Sequence, residues 1–183
     1  MSSNIKIAVS GKSGCGNTTV SRLTAEKLGF SFINYTFHSM AEEREMSFEE
    51  FYKLAQEDIS YDIILDRKQV ELARRGSCVL GSRLAIWMLE EADLKVYLEA
   101  SLETRARRIA SREGGSVEEK MRKTESRDRK DHERYMKIYG IDNDSYDFAD
   151  LILPVDRIDQ YEAADRIVEA FKHLNEQRGM DVQ

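Results

Sequence analysis

Short segments of alternating apolar positions and longer amphipathic segments follow one another along this chain. Residues 5–10, IKIAVS, alternate between large apolar side chains and small or polar ones, and this period of two predicts a strand. Four further apolar runs predict strands at residues 30–34, 78–81, 94–100 and 151–155. The segments between them predict helices, which we place at residues 18–28, as two short helices within 36–57, and at 60–75, 101–113, 116–139 and from 159 onward.

Local signals at the ends of these segments support the helices. Ser47 and Ser116 each have a glutamate three positions later, which is the capping-box pattern of a helix start. Gly76 ends one helical segment, and Gly114-Gly115 separates two others. For the helix at 60–75 we predict one shared side, formed by Ile63, Ile64, Arg67, Val70 and Ala73.

Strands that alternate with helices predict a parallel sheet covered by helices on both faces. The expected fold class is therefore α/β, a three-layer α/β/α domain with a five-stranded parallel sheet. Such sheets bind ligands at the carboxyl ends of their strands. The loop after the first strand, the turn at Arg83 and the segment after Ala100 all follow strands, so we expect them to meet at one cleft.

Composition limits the function without identifying it. A chain of 183 residues with 41% hydrophobic and 34% charged residues is a single helix-rich globular domain. Its net charge of −6 argues against a nucleic-acid polymer or an anionic membrane as partner. With two cysteines and no apolar run near the roughly 20 residues of a membrane span, we expect a cytoplasmic protein, and we expect a monomer.

The stretch GKSGCGNTTV, residues 11–20, resembles a phosphate-binding loop of the form G-x-x-x-x-G-K-[ST]. It follows the first strand and opens a helix, as that motif requires. Backbone N–H groups of such a loop and the positive helix end bind phosphate, and the Thr18 hydroxyl is placed to hold Mg²⁺. The predicted ATP phosphate-binding residues are Gly11, Lys12, Ser13, Gly14, Cys15, Gly16, Asn17, Thr18 and Thr19.

Asn17 stands where the motif has a lysine. A lysine gives the transferring phosphate a positive charge, whereas an asparagine donates only neutral hydrogen bonds. We hypothesise that Lys12 partly replaces that charge, and the alternative is that Lys12 is an ordinary solvated loop residue. Cys15 lies near a helix N-terminus, where a thiol pKa tends to fall, so oxidation of Cys15 is a further hypothesis.

Arginines are concentrated between residues 105 and 134. Most such residues form solvated, salt-bridged helix faces. Arg127, Asp131 and Arg134 are spaced i, i+4 and i+7 and therefore share one side of a helix, which suits an anionic ligand that also carries hydroxyl groups. The pair Gly114-Gly115 between the two arginine-bearing helices suggests a hinged lid that excludes water from bound nucleotides.

With these features together, the chain resembles the nucleoside monophosphate kinases of the P-loop class, and among them the cytidylate kinases of the short type common in archaea. The most specific match is RDRKDHER, residues 127–134, which fits the pattern R-D-x-x-D-x-x-R. Other similar stretches include MSFEEFYKLAQED, DRKQVELARRG and RYMKIYGID. The resemblance implies in-line phosphoryl transfer from MgATP to CMP or dCMP.

The resemblance also implies roles for individual residues. Catalytic roles fall to Arg127, Arg83, Arg134 and, by our own hypothesis, Lys12. The CMP-binding residues would be His38, Arg67, Arg83, Asp131 and Arg134, with Asp131 on the ribose, and Arg108 and Arg112 would lie on the adenine side. The single domain, 1–183, would divide into a core (1–34, 60–112 and 148–183), a helical monophosphate-binding segment (about 35–59) and a lid with its flanking helix (about 113–140).

Three departures from the family pattern leave base selection open. The chain has Asn34-Tyr35 and His38 where family members often have Gly-Asp and then Arg, Gly81-Ser82-Arg83 where Glu-Gly-Arg is common, and Leu84 where the long bacterial form has Asp. Two alternatives therefore remain, another small-molecule kinase of this fold and a nucleotide-binding regulatory protein that no longer transfers phosphate. No general base is expected, because an acceptor phosphate is already ionised at neutral pH.

Overall fold

A computed structural model describes residues 4–177 of the 183-residue chain. Its centre is a sheet of five parallel strands in the order β2-β3-β1-β4-β5. The strands are β1 Lys6–Gly11, β2 Ser31–Ile33, β3 Cys78–Gly81, β4 Leu94–Glu99 and β5 Leu151–Pro154. The predicted five-stranded parallel α/β fold is therefore confirmed, with each strand within a few residues of its expected position.

Eight helices connect and follow the strands within residues 4–177. They are α1 Asn17–Leu28, α2 Phe37–Glu43, α3 Phe48–Glu57, α4 Ser60–Ala73, α5 Ala85–Met88, α6 Leu102–Glu113, α7 Val117–Tyr139 and α8 Gln160–Gln177. The Ser47 and Ser116 side chains accept hydrogen bonds from the amides of Glu50 and Glu119, as the capping pattern predicts. The short helix α5 was not predicted. No helix in this part of the chain is long and apolar enough to cross a membrane.

The sheet separates two hydrophobic cores, and the alternation along each strand feeds both. Ile7 and Val9 belong to the core under α1 and α8, whereas Ala8 between them belongs to the core under α4 and α5. Strand β4 repeats this pattern, since Val96 and Leu98 face the first core and Tyr97 the second. Burial on both faces is what a central parallel strand requires, and it produces the three-layer arrangement.

A third, smaller hydrophobic cluster belongs to α2 and α3. Its buried members are Tyr35, Met40, Ala41, Phe51 and Ala55. The segment predicted at about 35–59 thus has packing of its own beside the sheet. The division into core, monophosphate-binding segment and lid stays a functional prediction, and its outermost residues, 1–3 and 178–183, lie outside the described residues.

Helix α4 is rotated relative to the prediction. Ile64 and Arg67, which we expected on its packed side, are exposed. Val70 and Ala73 are buried as expected, but Asp62, Asp66 and Gln69 point toward the carboxyl end of the sheet, where they line a cleft. The side of α4 next to the sheet therefore carries polar groups for part of its length, and a search for apolar residues alone selects the wrong side.

Helix α1 approaches the end of β3 very closely. A Cβ atom at Gly81 would lie 2.6 Å from the Ser21 Oγ atom and 2.8 Å from the Ser21 Cβ atom. Ser21 is completely buried, so it has no room to withdraw. Glycine at position 81 is thus a steric requirement of α1 packing against the sheet, which explains one of the departures from the family pattern.

We predict that Gly81→Ala lowers the free energy of unfolding by about 1–3 kcal/mol, because overpacking forces α1 and β3 apart. The matched control is Gly76→Ala, since a Cβ atom there meets nothing within 4 Å, and its effect should stay within about 0.5 kcal/mol. Urea unfolding followed by circular dichroism measures both. Equal effects of the two variants would contradict the steric argument.

Candidate active site

A cleft of about 670 Å³ opens at the carboxyl ends of the strands. All nine predicted phosphate-binding residues, 11–19, line it, together with the β3–α5 turn at Arg83 and residues from α2, α3, α4, α6 and α7. The sheet therefore brings the separated motifs together as expected. The placement follows from the parallel topology, which puts the carboxyl ends of all five strands at one edge.

The loop after β1 has the backbone of a phosphate cradle. Gly14 and Gly16 have φ angles of 86° and 97°, a region that favours glycine. A Cβ atom at Gly14 would also lie 2.9 Å from the Arg105 carbonyl oxygen. Gly16 caps α1, so the loop runs directly into a helix N-terminus that favours negative charge.

Arg105 and Arg108 of α6 hold this loop through hydrogen bonds to its backbone carbonyl groups. Arg105 is buried and forms a bidentate pair with Asp128 of α7, at 2.7 and 3.1 Å, and its Nη1 atom also donates to the Ser13 carbonyl oxygen at 3.2 Å. The sequence analysis named no partner for Arg105 and gave Asp128 no role. The signal was present, since Arg105 precedes the buried Ile109 by one helical turn.

Arg108 and Arg112, predicted on the adenine side, both line the cleft. Arg108 is largely committed to the backbone, because its guanidinium donates to the carbonyl oxygens of Cys15 at 2.9 Å and Val155 at 2.6 Å. Arg112 pairs with Glu113 at 2.5 Å. Arg108 thus stabilises the phosphate loop, and contact of either arginine with adenine stays a prediction.

The Asn17 side chain is engaged with the backbone at the edge of the sheet and with Ser21. Its Nδ2 atom donates to the carbonyl oxygens of Val9, at 3.0 Å, and Ser82, at 3.1 Å. Its Oδ1 atom accepts a hydrogen bond from the Ser21 hydroxyl at 2.8 Å. The amide therefore joins the ends of β1 and β3 and fixes the residue before Arg83. The side chain is thus a structural bridge, and phosphate binding by Asn17, which stays a prediction, would use its backbone amide.

The remaining loop side chains have different surroundings. Lys12 lines the cleft, but its Nζ atom pairs with Asp144 at 2.5 Å, so its charge is already partly neutralised. Burial raises the pKa of the Cys15 thiol to about 11, and this argues against the oxidation hypothesis, which needs a low pKa. Thr18 is exposed in the first turn of α1, and its hydroxyl has no hydrogen-bond partner among residues 4–177.

Arg83 and Arg134 converge on the opposite side of the cleft. Asp131 accepts hydrogen bonds from both guanidinium groups, one from Arg83 Nη1 and one from Arg134 Nη2, the latter at 3.2 Å. Asp62 of α4 holds Arg134 through Nη1 at 3.1 Å. The Arg134 Nε atom is buried and has no acceptor in the described part of the chain. An unsatisfied buried donor of a cation is costly, so this atom suits a ligand anion.

Of the predicted CMP-binding residues, Asp131 and Arg67 do not line the cleft, whereas His38 does. Asp131, predicted on the ribose, is buried behind Arg83 and Arg134 and is absent from the cleft lining. It positions the two arginines instead. Arg67 is exposed and does not line the cleft, because the rotation of α4 turns it outward. His38 lines the cleft and stacks on Phe48 with ring centroids 3.7 Å apart, and its phosphate contact stays a prediction.

Arg127 lines the cleft from α7 with an exposed side chain. It has no ion pair with any residue between 4 and 177, in contrast to Arg83, Arg105 and Arg134. An arginine that borders a cleft without a carboxylate partner is free to turn toward an incoming anion. The structure thus brings Arg127, Arg83 and Arg134 to one cleft.

Two carboxylates of the cleft were not predicted to contribute. Asp66 Oδ2 accepts a hydrogen bond from the Tyr139 hydroxyl at 2.7 Å. Burial raises the pKa of Asp66 to about 6, although that hydrogen bond lowers it, and the negative charge of Asp62 adds to the increase. Burial also raises the pKa of Asp62, against the effect of Arg134. Perturbed carboxylates in a cleft are candidates for ligand contact.

Comparison with known proteins identifies the relatives of this chain. A sequence model of the cytidylate kinase-like family matches residues 6–157. A protein of Borrelia garinii subsp. bavariensis called cytidylate kinase 2 is 47% identical over 167 residues, which cover 89% of this chain and 94% of that protein. The cytidylate kinase of Pyrococcus horikoshii is 43% identical over 149 residues, covering 80% and 78% respectively.

Solved structures add the fold. The shikimate kinase of Bacteroides thetaiotaomicron superposes with a TM-score of 0.63 at 20% identity, over 93% of this chain and 99% of that one. At this identity the similarity concerns the fold alone, and it agrees with a P-loop kinase architecture.

We predict that removing the Asn17 bridge destabilises the protein in a defined order. Ser21→Ala loses one hydrogen bond and should cost about 1 kcal/mol, whereas Asn17→Ala loses three hydrogen bonds and should cost about 2–3 kcal/mol. Asn17→Asp keeps the shape but places a carboxylate against both carbonyls, so it should cost more still. Chemical unfolding of the three variants measures this order, and an Asn17→Asp variant as stable as the parent would contradict the bridge.

We predict that Asp66 reduces stability at neutral pH. Its folded-state pKa of about 6 exceeds the ordinary value of 3.8, so its favourable contribution is complete below pH 4 and is lost as the pH rises through 6. Asp66→Asn should therefore be about 1–2 kcal/mol more stable than the parent at pH 8, and this gain should disappear near pH 4. Glu71→Gln, an exposed exchange on the same helix, should show no pH-dependent gain. Unfolding curves from pH 4 to 8 make the comparison.

Proposed function

Because this chain belongs to the cytidylate kinase-like family, we propose that it transfers the γ-phosphoryl group of ATP, in the presence of Mg²⁺, to CMP or dCMP. The observation that carries this function is the family relationship over most of the chain, at 43–47% identity to proteins called cytidylate kinases. The cleft supplies what the reaction needs, namely an anion-binding loop opposite a pair of arginines.

The acceptor phosphate is assigned to Arg83 and Arg134. Support comes from Arg134, which lines the cleft and whose buried Nε atom lacks an acceptor among the described residues. A small shift of this side chain would bring the Nε atom to a phosphate oxygen. The carboxylates of Asp131 and Asp62 already hold the other faces of these guanidinium groups. Each arginine is therefore oriented before substrate arrives, which lowers the entropic cost of binding.

The ATP phosphates are assigned to the loop at residues 11–19 and the N-terminus of α1. The Thr18 hydroxyl is exposed in the first turn of α1 and has no hydrogen-bond partner within residues 4–177, so it would hold a Mg²⁺ ion bound together with the phosphates. That ion, when bound, supplies positive charge next to the phosphates. The loop itself is held rigid by Arg105, Arg108 and the Asn17 bridge, so its amides are fixed in position before reaction.

The charge that a loop lysine would supply is assigned to Arg127. Asn17 is engaged with the backbone and Lys12 with Asp144, so neither is the favoured source. Arg127 borders the cleft without a carboxylate partner in the described range. Rotation of its exposed side chain would bring the Arg127 guanidinium onto the transferring phosphoryl group, and closure of the lid around Gly114-Gly115 would exclude water. The acceptor phosphate is already an anion, so no side chain has to remove a proton.

A coupled assay of ADP formation tests the function. The chain is incubated with ATP and Mg²⁺ and with CMP, dCMP, UMP or AMP in turn. We expect turnover with CMP or dCMP well above the ATP-only background. The regulatory alternative predicts no turnover with any of the four. The cytoplasmic location, the monomeric state and the absence of nucleic-acid partners remain predictions from the sequence.

We predict that Arg127→Ala lowers kcat for CMP by about 100- to 1,000-fold, because it removes a cation that stabilises the transferring phosphoryl group. The matched control is Arg129→Ala, two residues away on α7, exposed and outside the cleft lining. Its kcat should stay within about twofold of the parent value. Equal losses in both variants, or none in Arg127→Ala, would remove Arg127 from the catalytic group.

A further inference from the structure

One face of α4 presents a polar stripe to the acceptor side of the cleft. Asp62, Asp66 and Gln69 follow one another at spacings of four and three residues and all line the cleft, as residues on one side of a helix do. The Gln69 side-chain amide donates to the Tyr35 carbonyl oxygen at 2.7 Å and thereby ties α4 to the start of the α2–α3 segment. Asp62 orients Arg134, whereas Asp66 and Gln69 have no assigned role in phosphoryl transfer.

Asp66 has one carboxylate oxygen engaged and one available. Its Oδ2 atom accepts the Tyr139 hydroxyl at 2.7 Å, which fixes the plane of the carboxylate against α7. Its Oδ1 atom has no hydrogen-bond partner within the described residues, and Asp66 lines the cleft. This oxygen is open to the cleft, so a ligand there could donate a hydrogen bond to it in place of water.

The same cleft also has an aromatic wall. His38, Phe48 and Tyr52 all line it. The rings of His38 and Phe48 are stacked with centroids 3.7 Å apart, and those of Phe48 and Tyr52 are stacked at 5.4 Å. Flat aromatic surfaces bind the face of a nucleobase without distinguishing one base from another. Discrimination therefore has to come from a polar group at the edge of the base.

The position of Asp66 relative to the phosphate site fits the edge of a base. Asp62 contacts Arg134, whose Nε atom is the proposed phosphate donor. Asp66 lies one helical turn farther along α4, which is about 6 Å. A nucleotide whose phosphate lies on Arg83 and Arg134 would thus run along the stripe, with its ribose near Asp62 and its base near Asp66.

We propose that Asp66 is the specificity-determining residue for the acceptor base, its Oδ1 atom accepting a hydrogen bond from the exocyclic amino group of cytosine. The inference rests on the proposed function and adds a reason for choosing cytosine. Uracil has a carbonyl oxygen where cytosine has the amino group, and that oxygen would face a carboxylate with no hydrogen atom between them. Leu84, next to Arg83, is buried and apolar, so the strand end supplies no competing polar contact from that position.

The decisive variant is Asp66→Asn. Tyr139 donates its hydroxyl hydrogen to one oxygen at position 66, so the amide should turn its own oxygen toward Tyr139 and its NH₂ group toward the cleft. An NH₂ group matches the uracil carbonyl and opposes the cytosine amino group. We expect the ratio of kcat/KM for CMP to that for UMP to fall by about 10- to 100-fold, the value of one hydrogen bond to a charged group.

Three further variants separate base recognition from a structural role. Tyr139→Phe should keep the CMP preference, because a carboxylate presents an oxygen in either orientation. The double variant Asp66→Asn with Tyr139→Phe should give an intermediate ratio, because the amide is then free to rotate. Asp66→Ala should bring the ratio toward parity without favouring UMP, and Glu71→Gln, exposed on the same helix, should leave it unchanged.

Equilibrium binding of CMP and UMP, measured by titration calorimetry alongside turnover, makes the outcomes distinguishable. Circular dichroism confirms that each variant is folded. A CMP-to-UMP ratio in Asp66→Asn within twofold of the parent ratio, in binding and in any turnover, overturns the role of Asp66. Absence of turnover by the parent chain with either nucleotide contradicts the proposed kinase function, and the binding ratio still decides whether Asp66 selects the base.

Discussion

Two arginines from separate elements can lie side by side in this cleft only because a carboxylate lies between them. Arg83 follows β3 and Arg134 belongs to α7, and Asp131 accepts a hydrogen bond from each. Without that shared acceptor, two positive charges would repel each other in a partly buried site. The contact also joins α7 to the end of the sheet, so the acceptor side of the cleft depends on one buried aspartate for both its charge and its shape.

The arginines around the cleft fall into two groups: some stabilise the fold, and others are available to a ligand. Arg105 and Arg108 donate hydrogen bonds to Asp128 and to backbone carbonyls of the phosphate loop and the strand ends. These two residues therefore stabilise the fold. Arg127 has no such partner in the described chain, and Arg134 keeps one buried donor unsatisfied. A high density of arginine therefore says little by itself about ligand charge, because the partner of each guanidinium decides what that residue can do.

Much of this architecture is present in the sequence. The alternation in IKIAVS, the loop glycines and the helix caps suffice to predict the parallel sheet and the convergence of the loop, Arg83 and the arginine helix. Side-chain partners were harder to predict. Helical spacing put Asp131 on the correct side of α7, but spacing does not say whether a carboxylate faces a ligand or two arginines.

The rotation of α4 and the contacts of Asn17 have similar physical causes. An apolar stripe predicts burial against the sheet, yet part of α4 borders the cleft, where Asp62 and Asp66 replace apolar contacts. We compared Asn17 with the lysine of the motif and did not predict its carbonyl partners, which are Val9 on β1 and Ser82 directly after β3. Ser82 is 65 residues away in sequence and becomes a neighbour of Asn17 only when the sheet forms.

The closeness of α1 to β3 also limits which side chain position 17 can carry. Asn17 bridges two strand ends, Ser21 satisfies the amide oxygen of Asn17, and Gly81 leaves space for Ser21. The three positions form one unit, so exchanging Asn17 alone for the usual lysine would remove its hydrogen bonds to two carbonyls and leave the buried Ser21 hydroxyl without its acceptor. The neighbours of position 17 thus favour asparagine over lysine there. Restoring the motif lysine therefore concerns three positions rather than one.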